Sequence, residues 1–347
     1  MVSETTATSA GYDAAEEFLG RQSGLQRLQT ILHGYPWLSP ASVLVVATLI
    51  FAFVAPNFAT LGNFGTITQQ TAVIGTLAIG QTLIILTAGI DLSCGAIMVF
   101  TSMVIAKTAM ESDLNLPGGL ALLLGLVVGG LAGFANGLLI TRLNLPPFIV
   151  TLGTLGIFTS LTLLYATGRT VRNRELAPEL KWLGKGLDLG GFTITTGVLV
   201  MLGLYAVFAY VLRYTAWGSH VYAVGDDPDA ARLAGIQVNK VLLSVYTVAG
   251  FIFAIAAWVL IGRVNAASPN SGIDANLDSI TAVVIGGTSL FGGRGRVVGT
   301  LIGALIVSVV ESGLSIAGLD QAYKRLAIGM LIIIAVAADQ WIRRARA

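Results

Sequence analysis

The stretch "GLVVGGLAGFANG", residues 125–137, places Gly125, Gly129, Gly133 and Gly137 at a strict four-residue interval. On an α-helix that interval lines them up on one side, where the missing side chains let a second backbone come close. Apart from Gly130 and Asn136, the rest of the stretch is Leu, Val, Ala and Phe. A helix of this kind needs other helices around it and does not suit water. Gly295, Gly299 and Gly303 repeat the interval late in the chain. With 42 glycines in all, the pattern reads as a bundle packed on itself, and a seam between two copies is the alternative. Asn136, beside the ladder, reads as a hydrogen-bonding link between helices.

The composition agrees on the solvent. Hydrophobic residues make up 55% and charged residues 11% of the chain, against about 25% charged in a soluble domain. Ten apolar stretches follow one another, at roughly 38–56, 66–89, 93–111, 118–140, 147–166, 193–212, 240–262, 278–291, 297–313 and 322–341. Most have the ~20 residues that span ~30 Å of hydrocarbon. The expected fold is all-α, a polytopic membrane protein of about ten transmembrane helices. An even count puts both termini on one side. The closing "RRARA" and the early Arg21 and Arg27 make that side cytoplasmic. The expected organisation is a cytoplasmic segment 1–37, a transmembrane domain 38–342 and a cytoplasmic tail 343–347. Residues 1–36 are polar and no basic residue precedes Arg21, so they do not read as a secretory signal. Phe18, Leu25, Leu28 and Leu32 suggest an amphipathic helix there, or an accidental stripe on a mobile tail.

Several chemistries have no support. A net charge of +2 does not point to nucleic acid. No G-x-x-x-x-G-K-[ST] segment occurs, so the chain holds no P-loop for ATP. Its two histidines, His33 and His220, lie outside the apolar stretches, which leaves no histidine metal site or Ser-His pair within the membrane.

Polar residues inside the stretches are the candidates for function. Gln70 and Gln81 are eleven residues apart in the second, which is three helical turns. Thr151, Thr154, Phe158, Thr162 and Tyr165 follow spacings of three and four in the fifth. Hydroxyls and rings on one face suit a sugar, which has both hydroxyls and apolar C–H faces. Thr hydroxyls bonding back to carbonyls of the preceding turn would give the same pattern. Asp91 sits in "LTAGIDLSCG", residues 86–95, between Gly89 and Ser93. The segment reads as a helix interruption at Gly89, with the carboxylate accepting from N–H groups that open the next helix. Pairing with Arg142, Arg294 or Arg296 would make an inner hinge or gate. Direct sugar contact and proton coupling are the other readings of an intramembrane carboxylate.

Two hydrophilic stretches stand out. In "AVGDDPDAARLAGIQVNK", residues 223–240, Asp226 or Asp227 is a good N-cap and Pro228 suits the first helical position. Gly235 is a natural stop. The result is a helix of about two turns, too short to be stable without a surface to rest on. In "GRTVRNRELAPELKWLGKG", residues 168–186, Arg169, Arg172, Arg174, Lys181 and Lys185 fall outside the membrane, where basic residues are disfavoured. They suggest a docking surface, which Arg263 could join; a solvated loop neutralised by Glu175, Glu179 and Asp188 is the alternative.

Three segments, "GQTLIILTAGIDLSCGAI" (80–97), "YAVGDDPDAARLAGI" (222–236) and "TAVVIGGTSLFGGRGRVVGTLIGA" (281–304), resemble the permease subunits of bacterial ABC importers for ribose, xylose, arabinose and fructose. The resemblance runs from about residue 40 to 342. It implies a multi-pass protein of the bacterial inner membrane that pairs with a second permease copy or a sister permease. It also implies ATPase subunits below, carrying ATP and Mg, and a periplasmic or lipid-anchored sugar-binding protein above. No cofactor is expected in this chain. The segment 225–235 then matches the coupling helix that seats in the ATPase, with Asp226, Asp227, Pro228, Ala230, Ala231, Arg232, Leu233 and Gly235 at the contact. The family commonly starts this helix Gly-Asn-Pro, where this chain has Asp226-Asp227-Pro228, and has a small residue where Arg296 stands. A proton-driven secondary transporter through Asp91, or a channel or scaffold, would not need the coupling segment.

Overall fold

The computed structural model describes residues 38–272 and 274–344. The amphipathic helix expected near residues 18–32 lies outside them. All ten apolar stretches fall on helices. The first five helices are α1 (Leu38–Val54), α2 (Leu61–Leu86), α3 (Cys94–Thr108), α4 (Gly118–Leu143) and α5 (Pro147–Ala166). After a segment of short strands and 3-10 turns, residues 167–195, come α6 (Thr196–Tyr214), α7 (Ala216–Asp226) and α8 (Pro228–Leu233). The chain ends on α9 (Val238–Val264), α10 (Ala275–Ile285), α11 (Val297–Ile316) and α12 (Gln321–Arg344). Among the described residues, six helices (α2, α4, α5, α6, α9 and α11) are long and apolar enough to cross a membrane; α1, α3 and α10 are shorter apolar helices.

The glycine ladder does what its spacing requires. A Cβ on Gly133 would lie 2.2 Å from the Tyr246 carbonyl oxygen, and one on Gly250 would lie 2.2 Å from that of Gly129. The ladder thus seats α4 on α9 within one chain. Of the second ladder, Gly299 and Gly303 seat α11 on the end of α10, with a Cβ on Gly303 only 1.9 Å from the Ala282 carbonyl oxygen, whereas Gly295 falls before the helix and packs on Thr288. Helices α2 and α9 form the centre. Leu77, Ile79, Leu83, Phe253, Ala256 and Ile261 are fully buried there. By contrast, α5 and α6 turn Leu152, Ile157, Leu164, Leu199 and Val207 outward, as lipid-facing helices do.

The two ends of the bundle differ. One carries the loop after α2, the pair α7–α8 and the glycine-rich loop before α11. The other carries short strands: β1 (Val171–Arg172) pairs antiparallel with β4 (Ala266–Ala267), and β2 (Gly186–Asp188) with β3 (Thr193–Thr195). Helices α3 and α10 begin inside the bundle and point opposite ways. Asn276 in the first turn of α10 accepts a hydrogen bond on Oδ1 from the Gly95 N–H of α3 at 2.6 Å. A buried helix start leaves N–H groups without intrahelical partners, and this side chain satisfies one of them.

Candidate functional site

The segment expected to couple to an ATPase is two helices, with the break at Asp227. Asp226 closes α7. Asp227 is extended (φ −153°, ψ 104°), and its Oδ1 accepts from the N–H of Asp229 at 2.9 Å and of Ala230 at 3.0 Å. Pro228 takes the first helical position, and Gly235 closes the turn at φ +84°. Arg232 pairs with Asp229 at 2.6 Å. The six-residue helix splits its faces sharply. Ala231 is buried against its own bundle, whereas Leu233 is 91% exposed. Ala231 therefore supports the helix from beneath, and Leu233 is the apolar side chain left for a partner.

This end is tied to the bundle by hydrogen bonds to backbone carbonyls. The Gly293 N–H donates to the Leu86 carbonyl at 3.0 Å. The Tyr222 hydroxyl of α7 donates to the Gly295 carbonyl at 2.8 Å. Arg294 and Arg296 are exposed on this loop, and Arg296 is the N-cap residue of α11.

Between Leu86 and Cys94 the chain folds back into the bundle. The left-handed residue is Ala88 (φ +60°), and not Gly89, where the sequence places the interruption. Gly89 is needed for space: a Cβ there would stand 2.7 Å from the Tyr246 hydroxyl. Asp91 is 1% exposed. Its Oδ1 accepts from the Ser93 N–H and the Ser93 hydroxyl, both at 2.6 Å. Asn136 Nδ2, from the ladder helix, donates to Ser93 Oγ at 2.9 Å. The link between helices runs through Ser93. The carboxylate makes no ion pair among the described residues, so the expected partners Arg142, Arg294 and Arg296 do not reach it. Asp91 Oδ2, Asn136 Oδ1 and the Tyr246 hydroxyl are buried without hydrogen-bond partners.

The fifth-span stripe is mostly turned to its own backbone. Thr151 Oγ1 donates to the carbonyl of Ile90 or Pro147, each at 3.0 Å. Thr162 bonds back to Phe158 at 2.7 Å, and Thr154 to Thr151 at 3.4 Å. The Phe158 ring lies 5.9 Å from that of Phe100. The threonine hydroxyls thus make bonds back to the preceding turn, and Thr151, Thr154 and Thr162 are turned into the bundle.

An open space lies beside the second span. A cavity of about 430 Å³ is lined by residues of α2, α3, α9, α10, α11 and α12 and of the loop before α10. Gln70, Arg263, Asp278 and Glu311 supply its polar wall, and Val73, Ile74 and Leu260 part of its apolar wall. Gln70 Nε2 donates to Glu311. Arg325 meets Asp274 at the rim at 3.0 Å. Asp278 is 6% exposed, and its Oδ1 has no hydrogen-bond partner. Gln81, on the same helix as Gln70, is fully buried with both amide atoms unpartnered. Arg263 thus faces the cavity instead of the outer loop surface. Sequence reasoning missed Asp278 and Glu311. The signal was there: both fall within apolar stretches, where a carboxylate is a candidate for function.

On the strand-bearing end, the basic loop is partly neutralised within itself. Arg169 pairs with Glu175, and Glu175 Oε2 also accepts from the Arg172 N–H at 2.9 Å. These contacts, the backbone bond first, hold the Glu175 carboxyl below the usual carboxylate range. Lys181 Nζ donates to Asn173 Oδ1 at 3.2 Å.

The family described as "Branched-chain amino acid transport system / permease component" matches residues 63–336. The fructose import permease protein of Rhizobium meliloti is 45% identical over 351 residues, covering 100% of this chain and 96% of that protein. The ribose import permease protein of Bacillus subtilis is 37% identical over 87% of this chain and 92% of its own length. That of Escherichia coli K12 is 35% identical over 87% and 94%. No solved structure matches the chain significantly. A polytopic helical bundle without a P-loop, matched by permeases along almost its whole length, belongs to this permease family: it is a multi-pass inner-membrane transport component and not an enzyme.

Proposed function

We propose that the chain is the membrane-spanning subunit of an ATP-driven importer for a monosaccharide. The observation that carries the reading is the exposed helix α8, which is capped, held from below by Ala231 and crowned by a solvated Leu233. A secondary transporter or channel has no use for such an element. Fructose is favoured over ribose, because the similarity to the fructose permease is higher and extends over the whole chain.

In this reading about ten helices cross the bilayer with both termini cytoplasmic, so α7–α8 and the loop 286–296 face the cytoplasm. An ATPase subunit carrying ATP and Mg takes Leu233 into a groove. Closure of the ATPase pulls on α8. The Tyr222–Gly295 and Gly293–Leu86 bonds pass that movement to the break at Ala88–Ser93 and to the start of α11. A sugar-binding protein docks on the opposite end, and a second permease completes the path. Replacing Leu233 with Asp should abolish sugar uptake and co-purification of the ATPase while the permease still inserts. Normal uptake with the ATPase still bound would remove the reading.

A further inference from the structure

We propose that the cavity beside α2 is a monosaccharide-binding site of the permease itself, occupied after the sugar leaves its carrier and before it crosses. The proposal rests on the import reading above and adds to it that this chain recognises its cargo. Three observations support it. The first is size and place. At about 430 Å³ the cavity falls within the roughly 300–1,000 Å³ of small-molecule sites. It also lies among the short helix α10 and the loop before it, where interrupted helices build transport sites.

The second observation is chemistry. Asp278 and Glu311 are acceptors that can each take hydroxyl protons from a diol. Gln70 and Arg263 donate to ring or hydroxyl oxygens. Val73, Ile74 and Leu260 offer apolar wall to C–H faces. The mixture fits a neutral polyol. A sugar phosphate would bring its charge against Asp278 and Glu311 in a setting where bare charge is costly.

The third is unused hydrogen-bonding capacity. Asp278 Oδ1 is buried without a partner, and leaving a buried acceptor unmet is costly. Asp278 is a wall residue of the cavity, so a turn of its side chain would bring that oxygen to a ligand there. Further inward, Ser308 stands one turn from Glu311 on α11, and Gln81 stands three turns from Gln70 on α2. Their polar side-chain atoms are also buried and unpartnered. Thr82 and Thr300 then bond across α2 and α11 at 2.8 Å. Polar groups that lack partners in one conformation and follow one helix seam are suited to a passing polyol when that seam opens.

The test uses the full-length permease in lipid nanodiscs with Asn270→Cys, an exposed rim position, labelled by a polar maleimide. Cys94 is buried, and its background is measured in the parent. D-fructose and D-ribose are the probes, with ribose 5-phosphate as the charged control. Labelling should slow with at least one neutral sugar and not with the phosphate. Asp278→Asn and Gln70→Leu should each shift protection by about tenfold in sugar concentration, roughly 1.4 kcal/mol. Asp278→Leu should remove it; if that variant fails to insert, the other two variants decide the matter. The proposal is overturned if neither sugar protects at about 0.1 M, a hundredfold above a ~1 mM site. It is also overturned if the phosphate protects equally, or if Asp278→Asn and Gln70→Leu both protect as the parent does. Uptake of either sugar by cells, measured with and without the permease, tests the import reading separately. Permease-dependent uptake together with an unprotected Asn270→Cys variant sinks the cavity site and leaves import standing.

Discussion

Gly225 at the end of α7 lies directly on the carbonyl of Leu86, the last residue of α2: a Cβ built on Gly225 would stand 1.8 Å from that oxygen. Two helix ends that far apart in sequence meet without any side chain between them. The Gly293 N–H shares the same carbonyl. Motion of the exposed α8 therefore has a short, stiff route to the base of the central helix.

Gly225→Ala should break that route. The methyl cannot be accommodated without separating α7 from α2, because the obstacle is backbone. Uptake should fall by more than tenfold while ATPase association through Leu233 persists. A variant that binds the ATPase and transports normally would show that the contact is not part of the coupling.

At Asp227 the cap is open to a cleaner test. Asp227→Ala removes the acceptor for two N–H groups, at a cost of about 1 kcal/mol, in a helix of six residues that has little else to hold it. Asp227→Asn keeps the cap and removes the charge. Uptake and ATPase binding should drop with Ala and recover with Asn. Equal loss in both would mean that the negative charge, and not the cap, is what the partner reads.

Gly133→Val should weaken the whole bundle, since the added group meets the Tyr246 carbonyl. Overpacking of this kind costs about 1–3 kcal/mol, read as a lower melting temperature in detergent. A dimer-seam role would instead leave the monomer's melting unchanged and alter its association.

Helix positions, the two glycine ladders and the cap of α8 were legible in the sequence because each has a local signature: period, spacing or a Pro after an Asp. The break after α2 was legible as a break, but its left-handed residue is Ala88, and Gly89 serves the close approach to Tyr246. The cavity was not legible. Gln70 and Glu311 meet across α2 and α11, and no local pattern brings residues that far apart in sequence together. The fifth-span threonines were ambiguous for the opposite reason. A hydroxyl stripe has the same spacing whether it faces a path or its own preceding turn, and only the fold shows that the Thr162 hydroxyl donates to the Phe158 carbonyl.

Asp91 should not carry protons. Asp91→Asn keeps an acceptor for the Ser93 N–H and hydroxyl and cannot titrate, so ATP-driven uptake should persist. Asn136→Leu should do more harm, since it leaves Ser93 without its donor from α4, at about 0.5–1.5 kcal/mol of stability. A proton current in the parent that vanishes in Asp91→Asn would favour the secondary-transport reading instead.

The basic loop on the strand-bearing end should act on the encounter with a binding protein, with its residues contributing unequally. Arg169 is tied to Glu175, so its charge is partly neutralised within the loop. Arg172 gives its backbone N–H to the same carboxylate, and its exposed guanidinium adds to the positive charge around that group, while Arg174 adds a further exposed charge. Such charges chiefly set association rate and are screened over about 8 Å at physiological ionic strength. Arg172→Gln with Arg174→Gln should slow association of a sugar-loaded binding protein with the reconstituted transporter and flatten its salt dependence. Arg169→Gln should mainly loosen the turn. The Glu175 carboxyl is depressed in the folded loop, so its contribution is present above the ordinary carboxylate range and is lost as pH falls through its lowered folded value. Proteolytic nicking between residues 168 and 176 should accordingly rise at acid pH in the parent. In Arg169→Gln, which removes one of the contacts that depress the group, the rise should begin at higher pH. An on-rate at low salt that ignores Arg172 and Arg174 would place the docking surface elsewhere on this end.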